Sequence, residues 1–120
     1  MDFKDNLIEH YGFTEKDWEE TVCRFLPETL PARSLFLERD QVADRLAYLR
    51  SGLMRSFIYD DNANDITTHF FRQGTVVISM KSFNDQVPSR EYIITMEDCE
   101  IDVITYDRMK ELMEIGRAHV

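Results

Sequence analysis

Cysteine, glycine, proline and positive charge are all scarce in this chain of 120 residues, and each shortage excludes something. Cys23 and Cys99 are its 2 cysteines. They are too few and too distant for a disulfide scaffold, a CxxC site or an iron–sulfur cluster, and they point to free thiols in a cytoplasmic protein. With 4 glycines there is no GxGxxG and no GxxxxGKS/T, so no loop is built to cradle phosphates. Lys and Arg number 14 against 23 Asp and Glu, a formal net charge of −9. An acidic surface of this size repels phosphate backbones, so the chain is not expected to bind DNA unaided. No apolar run approaches the ~18 residues of a membrane span, and the start, MDFKDNLIEHYGF, lacks the apolar stretch of a secretory signal.

Catalytic patterns are missing too. There is no HExxH and no GxSxG elbow. The histidines, His10, His69 and His119, lie far apart, and the pattern places one of them, His69, on a strand, so no metal cluster is expected. The carboxylate pairs Asp60–Asp61 and Glu19–Glu20 fall in a turn and on a helix surface, where solvation explains them. No cofactor, metal site or catalytic residue is expected.

What is present is an ordinary globular composition, 43% apolar, 31% charged and 12% aromatic. This is one domain, long enough to bury roughly two-thirds of its unfolded surface. The first 30 residues read as helical. Phe3, Leu7 and Ile8 make a modest stripe, Thr14 caps, and Trp18, Val22, Phe25 and Leu26 share one helical face until Pro27 stops it. Trp18 and Cys23 are expected to pack.

From residue 33 to 104 the pattern changes to short apolar bursts and period-two alternation. Strands are predicted at Ser34–Leu37, Arg45–Arg50, Leu53–Tyr59, Ile66–Phe71, Val76–Ile78, Glu91–Thr95 and Ile101–Ile104. Ser51-Gly52 reads as a tight turn, and Asp60-Asp-Asn-Ala-Asn64 as a hairpin tip. Strict alternation puts Ile66, Thr68 and Phe70 on one face and Thr67, His69 and Phe71 on the other. Residues 79–89 form a polar loop with one helical turn. Thr105 caps a helix through Met113 that aligns Met109, Leu112 and Met113. Strands so short and evenly spaced, without βαβ alternation, predict a sandwich or barrel.

Several segments in this order resemble one family. Leu53-Met-Arg-Ser-Phe-Ile-Tyr59 after Ser51-Gly52 is similar to the "sG-x-x-R-x-y-y" hairpin of Crp/Fnr-type transcription regulators. Asp65-Ile-Thr-Thr-His-Phe-Phe71 with Gly74 looks like that family's next strand. Ser82-Phe83, Pro88-Ser89-Arg-Glu-Tyr-Ile93 and Glu97-Asp98-Cys-Glu-Ile101 resemble a subgroup common in Bacteroidetes-type bacteria. The likeness runs from about Leu7 to Met113. It implies a mainly β fold with flanking helices, a double-stranded β-helix (jelly roll) of the cyclic-nucleotide-binding-like type. It implies a sensor domain over 1–113, made of N-terminal helices over 1–30, a β-roll over 33–104 and a C-terminal helix starting at 105–113. It also implies a homodimer in the full-length protein and DNA contact through a C-terminal domain missing here. Glu114-Ile-Gly-Arg-Ala-His-Val120 reads as the translation of a common sequencing-library adaptor, GAG ATC GGA AGA GCA CAC GTC. Residues 114–120 are therefore expected to be a non-native tail, with Ile115 to Val120 as foreign translation.

In cyclic-nucleotide-binding members of the family, Gly-Glu and a later Arg-Ser or Arg-Thr clamp the ribose and the cyclic phosphate. Aligned on Pro88, the arginine position here is Ser89, Arg90 comes one place late, and Ile78-Ser-Met-Lys-Ser-Phe83 replaces the Gly-Glu stretch. On a strand that offset turns the arginine to the opposite face. The resemblance therefore implies a sensor of an unknown small-molecule effector that does not bind cyclic AMP in the usual way. Ser82, Ser89 and Arg90 are the candidate ligand-binding residues, and Phe83 anchors the loop in the core. A stand-alone cyclic-nucleotide-binding module and a cupin-like metal enzyme are the rival readings.

Overall fold

The computed structural model describes residues 14–16, 19 and 25–118. The side chains of 112, 113 and 115–118 lie outside that description. Glu15, Lys16 and Glu19 are helical, just after the expected cap Thr14. The remaining expectations for the N-terminal helices, with Trp18, Val22 and Cys23, fall outside the described residues, as do His10, His119 and the side chains of Leu112 and Met113.

Two four-stranded antiparallel sheets face each other. The strands are β1 (Leu26–Leu30), β2 (Leu35–Leu37), β3 (Arg45–Ser51), β4 (Met54–Tyr59), β5 (Asp65–Phe71), β6 (Val76–Val77), β7 (Tyr92–Thr95) and β8 (Cys99–Thr105). One sheet runs β1-β8-β3-β6 and the other β2-β7-β4-β5. Successive strands alternate between sheets except at the β4–β5 hairpin, so the chain winds as a double-stranded β-helix. Leu49, Val77, Ile101 and Ile104 from one sheet meet Met54, Phe71 and Ile93 from the other in a continuous core. A short helix α1 (Met80–Asp85) joins β6 to β7, and α2 (Tyr106–Ala118) follows β8 directly.

The sequence expectation fails first at Pro27. Leu26 does not end a helix; it opens β1, and Pro27 pairs with Asp102 inside that strand. β1 is the edge of its sheet, where a residue without an N–H is tolerated. Leu26 is accordingly 70% exposed rather than packed.

The second correction is at Ser51-Gly52. β3 and β4 belong to different sheets, so this is a corner between layers and not a hairpin turn. Gly52 has φ +107°, and an added Cβ would lie 2.5 Å from Cys99 Sγ and 2.8 Å from the Asp98 carbonyl oxygen. Only glycine lets the corner pass that close to β8.

The hairpin tip is as expected. The Asp60 carboxylate accepts hydrogen bonds from the N–H groups of Asn62 and Asn64, at 2.8 and 2.9 Å. Those bonds hold the Asp60 carboxyl below its ordinary pKa.

In β5 the register shifts opposite Ser56 and Phe57. Phe71 and His69 pair with Met54 and Ser56, whereas Thr67, Ile66 and Asp65 pair with Phe57, Ile58 and Tyr59. Thr68 is the extra residue of a β-bulge. Strict alternation is thereby broken: His69 and Phe71 face the same side as Thr68, and Phe70 is half exposed on the other. On the outer face Arg55 grips Asp65 with two bonds of 2.6 Å and lies over the Phe57 ring at 4.3 Å.

At the C-terminal end Thr105 Oγ1 accepts the Arg108 N–H at 3.3 Å, the expected cap. α2 continues past Met113 to Ala118, across the expected junction with the tail. Met109 is 4% exposed and belongs to the core.

Candidate ligand cavity

An open cavity of about 750 Å³ lies between the inner face of β4–β5 and the segment carrying α1. That is within the range of small-molecule sites. Its strand side is Ser56 and Ile58 of β4, Thr68, His69 and Phe71 of β5 and Val76 of β6. Its other side is residues 78–82 and 87–91.

The second side is held by hydrogen bonds that begin at a buried hydroxyl. Ser82, 2% exposed, accepts the Ala43 N–H at 2.8 Å and donates to the Val87 carbonyl at 2.6 Å. The Gln86 side chain donates to the carbonyls of Ala43 and Phe83, both at 2.8 Å, and its own backbone is left-handed (φ 52°), closing α1. Ser89 N–H donates to the Gln41 carbonyl, and Asp40 N–H to the Ser89 carbonyl, each at 2.8 Å. Phe83 is buried and meets the Tyr106 ring edge-on at 5.3 Å. The expected core anchor is thus in place.

All three candidate residues line the cavity, but in different ways. The Ser82 hydroxyl is engaged by backbone. The Ser89 hydroxyl, 3% exposed, donates to the Glu91 carbonyl at 2.9 Å and accepts the Glu91 N–H at 3.1 Å. Arg90 is exposed and makes no ion pair among the described residues. The alternation behind its expected turn to the opposite face does not apply here. Residue 90 sits in a bend before β7, outside any strand, so two-residue alternation has no grip there.

Sequence reading missed a polar relay on the strand side. Ser56, 1% exposed, bonds Thr68 through their hydroxyls at 2.8 Å, and Thr68 donates to Glu91 Oε2 at 3.2 Å. With Thr68 giving its proton to the carboxylate, Ser56 is the donor in the first bond. The signal was present as a serine at an inward position of an apolar strand. The bulge that brings Thr68 in had none. Lys81 also lines the cavity and was read simply as loop. Among the described residues no group of three or more His, Cys, Asp or Glu side chains could hold a metal ion, and no helix is long and apolar enough to cross a membrane.

The fold is a double-stranded β-helix with a pocket between a hairpin and a helix-bearing loop. The chain belongs to the cyclic nucleotide-binding domain family, whose profile matches residues 27–115. Solved structures share its fold. The Thermus thermophilus catabolite activator protein is 16% identical, with a TM-score of 0.77 over 94% of this chain. The regulatory domain of Toxoplasma gondii PKA, solved with cAMP, is 11% identical, with a TM-score of 0.76 over 93% of this chain and 44% of that one. A cyclic nucleotide-binding-like protein from Brucella abortus is 17% identical, with a TM-score of 0.73 over 90% of both chains. The chain spans about half the length of the catabolite activator, 53%. No curated protein matches it in sequence.

Proposed function

We propose that residues 1–113 are the effector-sensing domain of a bacterial Crp/Fnr-like transcription regulator of the Bacteroidetes-type subgroup. In this reading it is cytoplasmic and non-enzymatic. The full-length protein is a homodimer, α2 begins its dimer helix, and a C-terminal domain reads DNA. Residues 114–120 are a non-native tail. The cavity holds a small effector, but not cyclic AMP by the usual clamp. The observation that carries this is Ser89: it stands where the phosphate-binding arginine is expected, and its hydroxyl is already closed onto Glu91. Arg90 is the ligand contact in this assignment, while Ser82 and Ser89 shape the wall. An independent read of the locus tests the assignment. It should continue beyond Glu114 into a basic helix-turn-helix within about a hundred residues, the span the half-length match leaves open, and the full-length product should retard promoter DNA. A genuine stop after Val120, or a full-length product that shifts no DNA, refutes it.

A second reading, a stand-alone cyclic-nucleotide-binding module, draws on the family match over residues 27–115. Calorimetry with cyclic AMP and cyclic GMP separates the two, since tight saturable binding contradicts the role given to Ser89.

A further inference from the structure

The cavity presents two chemistries. Ile58, Phe71, Val76 and Ile78 give it a hydrocarbon wall. Toward solvent stand Lys81 and Arg90, both exposed. Neither makes an ion pair among the described residues, as is also true of Arg33, Arg39, Arg72 and Lys110. What sets Lys81 and Arg90 apart is that both line one cavity. Three hydroxyls at the cavity do not serve an anion, while His69 and Ser79 also line it. Ser82 and Ser89 give their protons to the carbonyls of Val87 and Glu91, and Thr68 gives its own to the Glu91 carboxylate. Glu91 also repels any anion brought against the relay, phosphate and carboxylate alike, so an anion is drawn instead to the side of Lys81 and Arg90.

We infer that the cavity takes an amphipathic monocarboxylate, its apolar body against Ile58, Phe71, Val76 and Ile78 and its carboxylate between Lys81 and Arg90. A carboxylate fits this supply of donors: one planar guanidinium can bind it with two parallel bonds, and one ammonium can balance the remaining charge. A cyclic nucleotide brings a sugar and a base whose polar edges would face hydrocarbon unpaired. Burial of the apolar body supplies affinity, and the cations fix its direction. The inference rests on the proposal that this cavity is the effector site.

Calorimetric titration of the 120-residue chain with decanoate and 4-phenylbutyrate tests it, with 4-phenylbutan-1-ol, cyclic AMP and cyclic GMP as comparators. At least one acid should bind saturably, about tenfold or more tighter than the alcohol. The double variant K81Q/R90Q changes exposed residues only, so its Tm should be unchanged while the acid weakens by about tenfold. Binding of neither acid, equal binding of acid and alcohol, or full affinity in K81Q/R90Q overturns the inference. Cyclic nucleotide bound tighter than either acid also overturns it, yet leaves a sensor domain standing. A locus without a DNA-binding segment removes the regulator reading and leaves the carboxylate result intact.

Discussion

Replacing Gly52 by alanine should damage this fold far more than the same change at Gly74. Both glycines have positive φ, +107° and +87°. Both values lie beyond the left-handed helical well, where an L side chain costs about 1–3 kcal/mol. At Gly74 that is the whole cost, because the nearest atom to an added Cβ is Tyr48 Oη at 3.9 Å. At Gly52 the Cβ would also sit 2.8 Å from the Asp98 carbonyl oxygen and 2.9 Å from Cys99 Cα. They are backbone atoms of Asp98, just before β8, and of Cys99, its first residue, and β8 is the central strand that pairs with both β1 and β3. Moving them is overpacking, which adds about 1–3 kcal/mol. The expected losses are therefore about 1–3 kcal/mol for G74A and about 2–6 kcal/mol for G52A, against a typical total of 5–15 kcal/mol. Urea denaturation reads the difference. With m near 1–3 kcal/mol/M, the extra cost of about 1–3 kcal/mol should put the G52A midpoint about 0.3–3 M below that of G74A at unchanged m. Adding C99A should not rescue G52A, since removing the sulfur leaves both backbone contacts. Equal midpoints for the two alanine variants, or rescue by C99A, would refute the steric account of the corner.

Three further outcomes follow from the hydrogen bonds and ion pairs. Ser82→Ala orphans the buried Ala43 N–H and the Val87 carbonyl, so it should cost about 1–3 kcal/mol, seen in calorimetry as a Tm drop of roughly 5–15 °C; a drop under 2 °C would count against the staple. The Asp65 carboxyl is held below its ordinary pKa first by hydrogen bonding to Arg55, and Asp60 by the N–H groups of the tip. A lowered folded-state pKa stabilises above the unfolded value of about 4 and is lost as pH falls through the lower one, so D65N and D60N should each flatten the fall of Tm between about pH 5 and 2. An unchanged slope in both would contradict those contacts. Burial pushes the Cys99 thiol up, so in a C23S background it should react with a thiol reagent at pH 8 only after denaturant is added; prompt labelling of folded protein would show an open corner.

Much of the fold was legible because it follows local chemistry. Asp60 and the asparagines announced the hairpin tip, Thr105 announced the cap of α2, and the apolar bursts located seven of the strands. What escaped is set by tertiary context. Phe25 and Leu26 keep helical spacing with Trp18 and Val22, so nothing local shows that Leu26 pairs with Val103, far along the chain. The bulge at Thr68 leaves no compositional mark, yet it decides which side chains of β5 enter the cavity. Gly52 was read for its φ, while its partner in close approach, Cys99, lies 47 positions away. Arg90 lies in a bend, where the alternation used to place it does not apply.

Phe83 and Tyr106 carry one last consequence. Phe83 belongs to the helix that walls the cavity, and Tyr106 is the first residue of α2, with its N–H on the Asp44 carbonyl at 2.7 Å. α1 therefore cannot shift without Tyr106 either following or giving up its edge-on ring contact, worth about 0.5–1.5 kcal/mol. That energy sets a ceiling of roughly two- to twelvefold on how strongly this single aromatic hinge can bias two placements of α2, and reciprocity makes the same factor act back on whatever occupies the cavity.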